Sequence, residues 1–171
     1  MYQGLHGTAF RSKMRAMARW LVKTEPDLFS IDDFARCKIT DWTGVRNYQA
    51  RNFLMTMEEG DEVIIYHSNA EPPGVVGLAA VHKKATPDQT QFDSSSEYFE
   101  PKATKANPRW FCPELKFVRK FSRLIALDEL RNTKALEGLA LLQKGSRLSV
   151  IPISDRHFDT IITMSSKRSP A

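Results

Sequence analysis

The strongest constraint on the fold of this chain is a pair of β-rich segments, residues 63–66 and 75–83, that one short loop connects. The first reads Val-Ile-Ile-Tyr and the second begins Val-Val-Gly-Leu, and β-branched and aromatic residues of this kind favour strands. The connecting loop, residues 68–74, contains Asn, two Pro and Gly, which turns favour. The sequence therefore predicts two neighbouring antiparallel strands joined by a turn.

Further strands and helices are predicted from the patterns along the chain. Apolar, β-rich runs predict strands at residues 20–23, 115–125 and 147–153. Helical spacing or a capping residue predicts helices after Ser30, over residues 47–57 and 127–142, and after Ser154. A polar segment with three prolines is expected to form a long excursion from the sheet, residues 85–110.

The order of these elements disfavours a doubly wound sheet, because strands and helices do not alternate regularly. We expect an α+β fold, with a small barrel or strongly curved sheet of about five or six mixed, mainly antiparallel strands and helices at its periphery. The 171 residues suit a single domain. We expect that domain at residues 20–164, after a poorly ordered basic tail, residues 1–19, and before a C-terminal tail, residues 165–171.

The basic charge of the chain is concentrated in a few places. The net charge is +5, but residues 1–19 contribute +4 and residues 165–171 contribute +2, so residues 20–164 carry −1. Within that body, residues 101–123 hold seven basic residues and one acidic residue. Composition alone therefore does not indicate a nucleic-acid partner, and phosphate contacts are expected mainly from this one segment.

No common catalytic or cofactor motif is present. The sequence lacks GxSxG, HExxH, the P-loop and GxGxxG, and none of its four histidines has metal-ligand spacing, so we expect no metal and no cofactor. One catalytic hypothesis stays open, in which Lys23 activates the hydroxyl of Thr24 as a nucleophile. Successive strand residues point to opposite faces, which disfavours this pair.

The sequence also carries signals of cellular location. The longest apolar run, residues 75–81, is far shorter than the roughly 20 residues of a membrane span. Cys37 and Cys112 lack a CxxC motif and are interpreted as structural thiols in a reducing compartment. We expect a protein of the cytoplasm, or of the nucleus if the source is eukaryotic, without membrane association.

Aromatic residues lie among polar residues at several points, which is the mixture that a base-binding pocket needs. Rings stack on the face of a base, while amide, hydroxyl and imidazole groups bind its edge. Trp42 and Trp110 lie in predicted loops, where base binding and core packing are both open. Core packing is favoured for Trp20 and Tyr66, and the default role of His67 is that of a hydrogen-bonded histidine at a strand end.

Several motifs, in this order along the chain, resemble those of the EVE domain family. They are WLVKTEP at residues 20–26, DWTGVRNYQARN at 41–52, GD at 60–61 with YHSN at 66–69, VG at 76–77 and RLSVIP at 147–152. The second motif, at residues 41–52, is highly specific to this family. The resemblance extends from Trp20 to about Met164.

This resemblance implies a PUA-like pseudo-barrel, related to the YTH and ASCH domains, whose central pocket accepts a base. EVE-like domains resemble readers of modified bases such as 5-methylcytosine in DNA, and some suit RNA. Carried onto this chain, the pocket comprises Trp20, Lys23, Trp42, Val45, Asn47, Tyr48, Tyr66, His67, Ser68, Trp110, Ser149 and Pro152. Trp42 and Trp110 are the candidates for stacking, and the base edge is expected to meet Asn47, His67 and Ser68.

The leading interpretation is therefore a non-catalytic, monomeric module that flips a modified base of DNA or RNA into this pocket. The expected phosphate-binding residues are Arg46, Arg51, Lys102, Lys105, Arg109, Lys116, Arg119, Lys120 and Arg123. The alternative is an amidohydrolase or esterase that acts on a modified nucleoside through Lys23 and Thr24. A protein-interaction module with an unused pocket is a third interpretation.

Overall fold

The fold is described by a computed structural model that covers residues 15–167. Its strands, in chain order, are β1 (Arg19–Thr24), β2 (Ile39–Asp41), β3 (Glu62–His67), β4 (Gly74–Pro87), β5 (Phe111–Ala126) and β6 (Val150–Ile153). Its α-helices are α1 (Ile31–Cys37), α2 (Tyr48–Thr56), α3 (Leu127–Arg131) and α4 (Asp155–Ser165). Short 3-10 helices lie at Gln89–Phe92, Lys134–Leu136 and Ala140–Leu142.

The strands form one mixed sheet in the order β2-β5-β4-β3-β1-β6. β3 and β4 are antiparallel neighbours, with Ile64 opposite Leu78, which confirms the predicted pair. β1 runs parallel to β3, and the other neighbouring strands are antiparallel. Within residues 15–167 the edge strands β2 and β6 do not pair with each other, so the sheet is not closed into a barrel. The predicted α+β fold with mainly antiparallel strands is confirmed.

Helices cover both faces of the sheet, because apolar side chains alternate along the strands. On β1, Trp20 and Val22 face one core and Leu21 faces the other. The helices α1 and α2 complete the first core through residues that include Phe34 and Leu54. The helices α3 and α4 complete the second core.

Capping side chains determine where three helices begin. The Ser30 hydroxyl accepts a hydrogen bond from the Asp33 N–H, and the Asp33 carboxylate accepts one from the Ser30 N–H, which is the predicted capping box. Asn47 caps α2 by accepting from the Ala50 N–H. Ser154 caps α4 as predicted.

Strand boundaries differ from the prediction in several places. β4 extends to Pro87 and β5 begins at Phe111, because these strands stay paired through several shifts of register. β6 begins at Val150, three residues later than predicted. The sequence does not predict β2, which pairs with β5 over only three residues. A strand of that length is too short to show an alternating pattern.

The excursion between β4 and β5 is ordered by the buried side chain of Gln91. Its Oε1 accepts from the N–H groups of Arg109 and Trp110, at 2.8 and 3.0 Å. Its Nε2 donates to the carbonyl oxygens of Asp88 and Trp110, each at 2.8 Å. The two ends of the segment predicted as a loop are therefore joined to each other by the hydrogen bonds of Gln91.

Some residues of the predicted N-terminal tail lie within the described structure. β1 begins at Arg19, and the Ala18 N–H donates to Oδ1 of Asp61 at 2.9 Å. The Arg15 guanidinium lies 3.4 Å from the same carboxylate. At the other end, Ser165 is the last residue of α4. The remaining tail residues, 1–14 and 168–171, lie outside the described residues.

Candidate functional site

A cavity of about 770 Å³ lies at the carboxyl end of β1. This volume is within the range of small-ligand sites. One wall is the end of β1 with the turn that follows it, and a second is the segment from β2 to α2, residues 40–47. Glu97 and Tyr98 of the excursion, Ser68 after β3, and Arg147 and Ser149 before β6 complete the lining.

Half of the predicted pocket residues line this cavity, namely Lys23, Trp42, Val45, Asn47, Ser68 and Ser149. Trp42 is only 6 % exposed. The centroid of its ring lies 6.2 Å from that of Phe29, in an edge-on contact, and 6.3 Å from that of Phe34. Core packing therefore fixes the Trp42 ring, and the residue also lines the cavity, so a role in base binding stays a prediction.

The other predicted pocket residues lie outside the cavity lining, namely Trp20, Tyr48, Tyr66, His67, Trp110 and Pro152. Trp20 and Tyr66 are buried in the two cores, which is the interpretation that the sequence favours. Pro152 is exposed on β6, opposite Trp20. Tyr48 and Trp110 stack on each other, with ring centroids 4.8 Å apart.

His67 positions the start of α1. Its Nε2 accepts a hydrogen bond from the backbone N–H of Ile31 at 3.1 Å. Burial lowers the pKa of His67, the Asp32 carboxylate opposes this effect and the Lys120 ammonium adds to it. The ring is therefore held neutral, since only the neutral form can accept this hydrogen bond.

The segment that carries Trp42 and Asn47 is tied to the excursion. Oδ2 of buried Asp88 accepts from the Gly44 N–H and from Nη1 of Arg46, both at 2.9 Å. Burial raises the pKa of Asp88, but hydrogen bonds from Thr90, Gly44 and Arg46 hold it below its ordinary value. The Arg46 guanidinium is thus committed to the cavity wall.

Gly44 allows a close contact in the same wall. Its φ is +81°, and a Cβ atom there would lie 2.9 Å from Cζ of Tyr98. Only glycine adopts this conformation without strain. The Tyr98 ring can therefore lie directly against the backbone at the cavity.

Lys23 and Thr24 both line the cavity, and the Thr24 hydroxyl already has a hydrogen-bond partner. Burial lowers the pKa of the Lys23 ammonium. Thr24 donates its hydroxyl proton to the carbonyl oxygen of Phe29, with 2.9 Å between the oxygens. A lysine base would have to accept that proton, so this hydrogen bond opposes activation of Thr24 by Lys23.

Asn47 presents donors to the cavity. Its Oδ1 accepts from the Ala50 N–H at 3.0 Å, and Nδ2 is the donor atom of the same amide group. The carboxylates of Glu25, Asp41 and Glu97 line the same cavity as acceptors. The lining can thus bind a planar ligand that carries both donors and acceptors.

Several lining residues were not predicted from the sequence, among them Phe29, Asp41, Glu97, Tyr98 and Arg147. Asp41 adjoins Trp42 within the family motif, and Arg147 belongs to the last motif, so these two carried a signal. Glu97 and Tyr98 lie in the polar excursion, where nothing in the pattern distinguishes them.

The predicted basic residues are divided between separate surfaces. On β5 and near it, Lys120 pairs with Asp32 at 2.7 Å and Arg123 pairs with Glu129 at 2.6 Å, while Arg119 packs over Phe121. Lys116 is exposed on β5, and Lys102 and Lys105 are exposed in the excursion. Of the other three, Arg46 belongs to the cavity wall, and Arg51 and Arg109 lie around the stacked rings of Tyr48 and Trp110.

Among residues 15–167, no helix is long and apolar enough to cross a membrane. The described residues contain no group of three or more His, Cys, Asp or Glu side chains placed to hold a metal ion.

The mixed sheet, its helices on both faces and its pairing order define an α+β domain of PUA-like fold. Residues 18–164 match the family model of the EVE domain, and the chain belongs to this family. The family resemblance seen in the sequence is therefore confirmed.

Comparison with single proteins supports the same assignment. The chain is 38% identical to thymocyte nuclear protein 1 of Homo sapiens over 169 residues, 88% of this chain and 75% of that protein. A solved structure of human THYN1 protein in complex with 5-methylcytosine containing DNA superposes with a TM-score of 0.84 at 36% identity, covering 89% of this chain and 99% of that one. The protein PSPTO5229 from Pseudomonas syringae gives a TM-score of 0.84 at 45% identity, covering 86% and 99%.

Proposed function

We propose that this chain is a non-catalytic nucleic-acid-binding module that holds a modified base, 5-methylcytosine or a derivative, in the cavity at the end of β1. The observation that carries the proposal is the cavity itself, whose lining combines the aromatic residue Trp42 with residues that carry hydrogen-bond donors and acceptors. The human relative, solved with 5-methylcytosine containing DNA, has the same fold with a TM-score of 0.84.

The chemistry of the lining suits a cytosine edge. The exocyclic amine of cytosine is a donor, which carboxylates accept well, and Glu25, Asp41 and Glu97 are available. Nδ2 of Asn47 is a donor for a ring acceptor. Val45 and Phe29 supply apolar surface of the kind that a 5-methyl group contacts.

Stacking alone does not balance the cost of taking a base out of a duplex. Flipping costs a few kcal/mol, and stacking on an aromatic ring returns about 1 to 3 kcal/mol per base. Hydrogen bonds to the base edge and contacts to phosphates must supply the rest. DNA is the proposed carrier because the human relative was solved with it, and the name of that relative places it in the nucleus.

A titration of matched oligonucleotides tests the proposal. Fluorescence anisotropy would measure the affinity for duplexes with one 5-methylcytosine, for the same duplexes without it, and for the corresponding RNA. We expect tighter binding to methylated DNA. Equal affinities for methylated and unmethylated DNA would refute base recognition.

Asn47→Asp tests the proposed hydrogen bond to the base most specifically, because aspartate retains the oxygen that caps α2 and lacks the amide donor. We expect the affinity for methylated DNA to fall about tenfold, in line with 1 to 3 kcal/mol for a good base contact. Gln49→Glu adds the same charge on an exposed residue of the same helix and controls for repulsion of phosphates.

The alternative function is hydrolysis of an acylated nucleoside through Lys23 and Thr24. It is favoured by the position of both residues on the cavity and by the lowered pKa of Lys23, and opposed by the hydrogen bond from Thr24 to Phe29. Incubation with acylated cytidines would show product that Lys23→Met and Thr24→Val abolish. Product that persists in both variants would exclude this mechanism.

A further inference from the structure

Tyr48 presents an exposed aromatic ring next to the cavity but outside it. The residue is 51% exposed, while Trp110, on which it stacks, is 4% exposed. The two ring planes are 25° apart, and their centroids are separated by 4.8 Å. Asn47, the residue before Tyr48, lines the cavity. Tyr48 is therefore a surface ring held in place by a buried one.

Trp110 and Arg51 both lie on one side of the Tyr48 ring, and the face on the other side is called here the outer face. The Arg51 guanidinium carbon lies 4.8 Å from the Tyr48 centroid and 5.9 Å from the Trp110 centroid. A group over the outer face would be about twice as far from Trp110 as from Tyr48. These distances place Arg51 at the edge of the Tyr48 ring on the side of Trp110, so neither side chain stacks on the outer face.

Two cations lie at the edge of this ring. Arg51 Nη1 donates to the carbonyl oxygen of Arg109 at 2.9 Å, and Arg109 Nη1 lies 3.4 Å from the Tyr48 hydroxyl oxygen. Among the ion pairs of residues 15–167, neither arginine has a carboxylate partner. The basic groups near the ring are therefore not neutralised as Arg46 is by Asp88.

We propose that Tyr48 forms a second base-binding site, at which the outer face of its ring stacks on the nucleobase next to the one in the cavity, with Arg51 and Arg109 holding the adjoining phosphate. The proposal rests on the proposed function of the cavity. A ring face stacks on any base, so this site adds affinity without reading sequence or modification. The underlying Trp110 restrains the ring, so little further ordering of Tyr48 is needed.

The test uses a single-stranded oligonucleotide with one 5-methylcytosine, and versions with an abasic residue at its 5′ or 3′ neighbour. Tyr48→Leu keeps an apolar cover over Trp110 and removes the ring, whereas Tyr48→Phe keeps the ring. We expect Tyr48→Leu to weaken binding by roughly 5- to 100-fold and Tyr48→Phe to bind within about twofold of the unmodified protein. Met55→Ala, 46% exposed on the same helix, should bind normally.

The abasic versions decide the proposal. One abasic neighbour should weaken binding to the unmodified protein and should cause no further loss in Tyr48→Leu, because the ring on which that base stacks is already absent from this variant. Normal binding by Tyr48→Leu, or losses that simply add for both abasic positions, would overturn the proposal. The ratio of affinities for methylated and unmethylated strands should be the same in Tyr48→Leu, and this ratio tests the cavity separately.

Discussion

The guanidinium of Arg46 donates a hydrogen bond to the buried carboxylate of Asp88 at 2.9 Å. The other Arg46 nitrogens donate to the carbonyl oxygen of Tyr98 at 2.6 Å and to the Thr90 hydroxyl at 2.9 Å. A single side chain thus joins the loop before α2 to the excursion. Because both segments line the cavity, its shape depends on the pair of Arg46 and Asp88.

Arg46→Met should destabilise the domain and weaken binding. Loss of one partner of a buried ion pair costs roughly 3 to 5 kcal/mol, since the remaining charge, here Asp88, stays buried. Urea unfolding would measure the free energy of unfolding. Lys83→Met, which breaks an exposed pair with Glu114, should change it by less than about 1 kcal/mol. An equal effect of the two variants would contradict this role of Arg46.

Gly44→Ala should narrow the cavity as well as strain the backbone. The new methyl group would meet the Tyr98 ring at 2.9 Å, at a φ of +81°. Gly138→Ala is the control, because Gly138 has a φ of +87° with no atom within 4 Å of the added Cβ. Each variant should lose about 1 to 2 kcal/mol from backbone strain. Only Gly44→Ala should also lose affinity for methylated DNA; normal affinity would show that the Tyr98 contact is unimportant.

Trp20→Phe should lower stability without changing base discrimination. The Trp20 indole Nε1 donates to the buried Asp61 carboxylate at 3.0 Å, and hydrogen bonds to charged groups contribute about 1.5 to 3 kcal/mol. Trp42→Phe, at the cavity, should instead reduce the preference for methylated DNA. Thermal melts and the anisotropy titration measure the two effects. A weaker preference of Trp20→Phe for methylated over unmethylated DNA would indicate that Trp20 belongs to the binding site after all.

His67 should make the domain less stable in mild acid. The pKa of His67 is lowered in the folded chain, so the unfolded chain takes up a proton at a pH where the folded chain does not. The stabilising contribution is present above about pH 6.5, the ordinary pKa of histidine, and is lost below it. Unfolding in urea at about pH 7.5 and about pH 5.5 would show the decrease.

A histidine variant isolates this effect. His67→Gln should lose stability at the higher pH but depend less on pH than the unmodified protein. The same pH dependence in His67→Gln as in the unmodified protein would assign the effect to other groups.

Local signals in the sequence were enough to predict most elements of the fold. Ser30 with Asp33 and Asn47 with its apolar spacing mark helix starts that the structure shows at the same residues. The antiparallel β3 and β4 follow from two β-rich runs and a turn. These features depend on residues that are neighbours in the chain, so their pattern is visible without a structure.

The cavity could be predicted only in part, because its walls come from distant segments. Trp42 and Trp110 look alike in the sequence, as loop tryptophans beside polar residues, yet only Trp42 lines the cavity. The difference arises because Gln91 binds the backbone of Trp110 and Tyr48 covers its ring. Likewise, the role of Arg46 depends on Asp88, 42 residues away and buried by tertiary contacts.

The most direct test of the account is a crystal structure of this chain with a DNA duplex that carries one 5-methylcytosine. We expect the methylated base outside the helix, in the cavity, bordered by Trp42 and within hydrogen-bond distance of Asn47 Nδ2. A duplex bound with every base stacked and the cavity empty would contradict it.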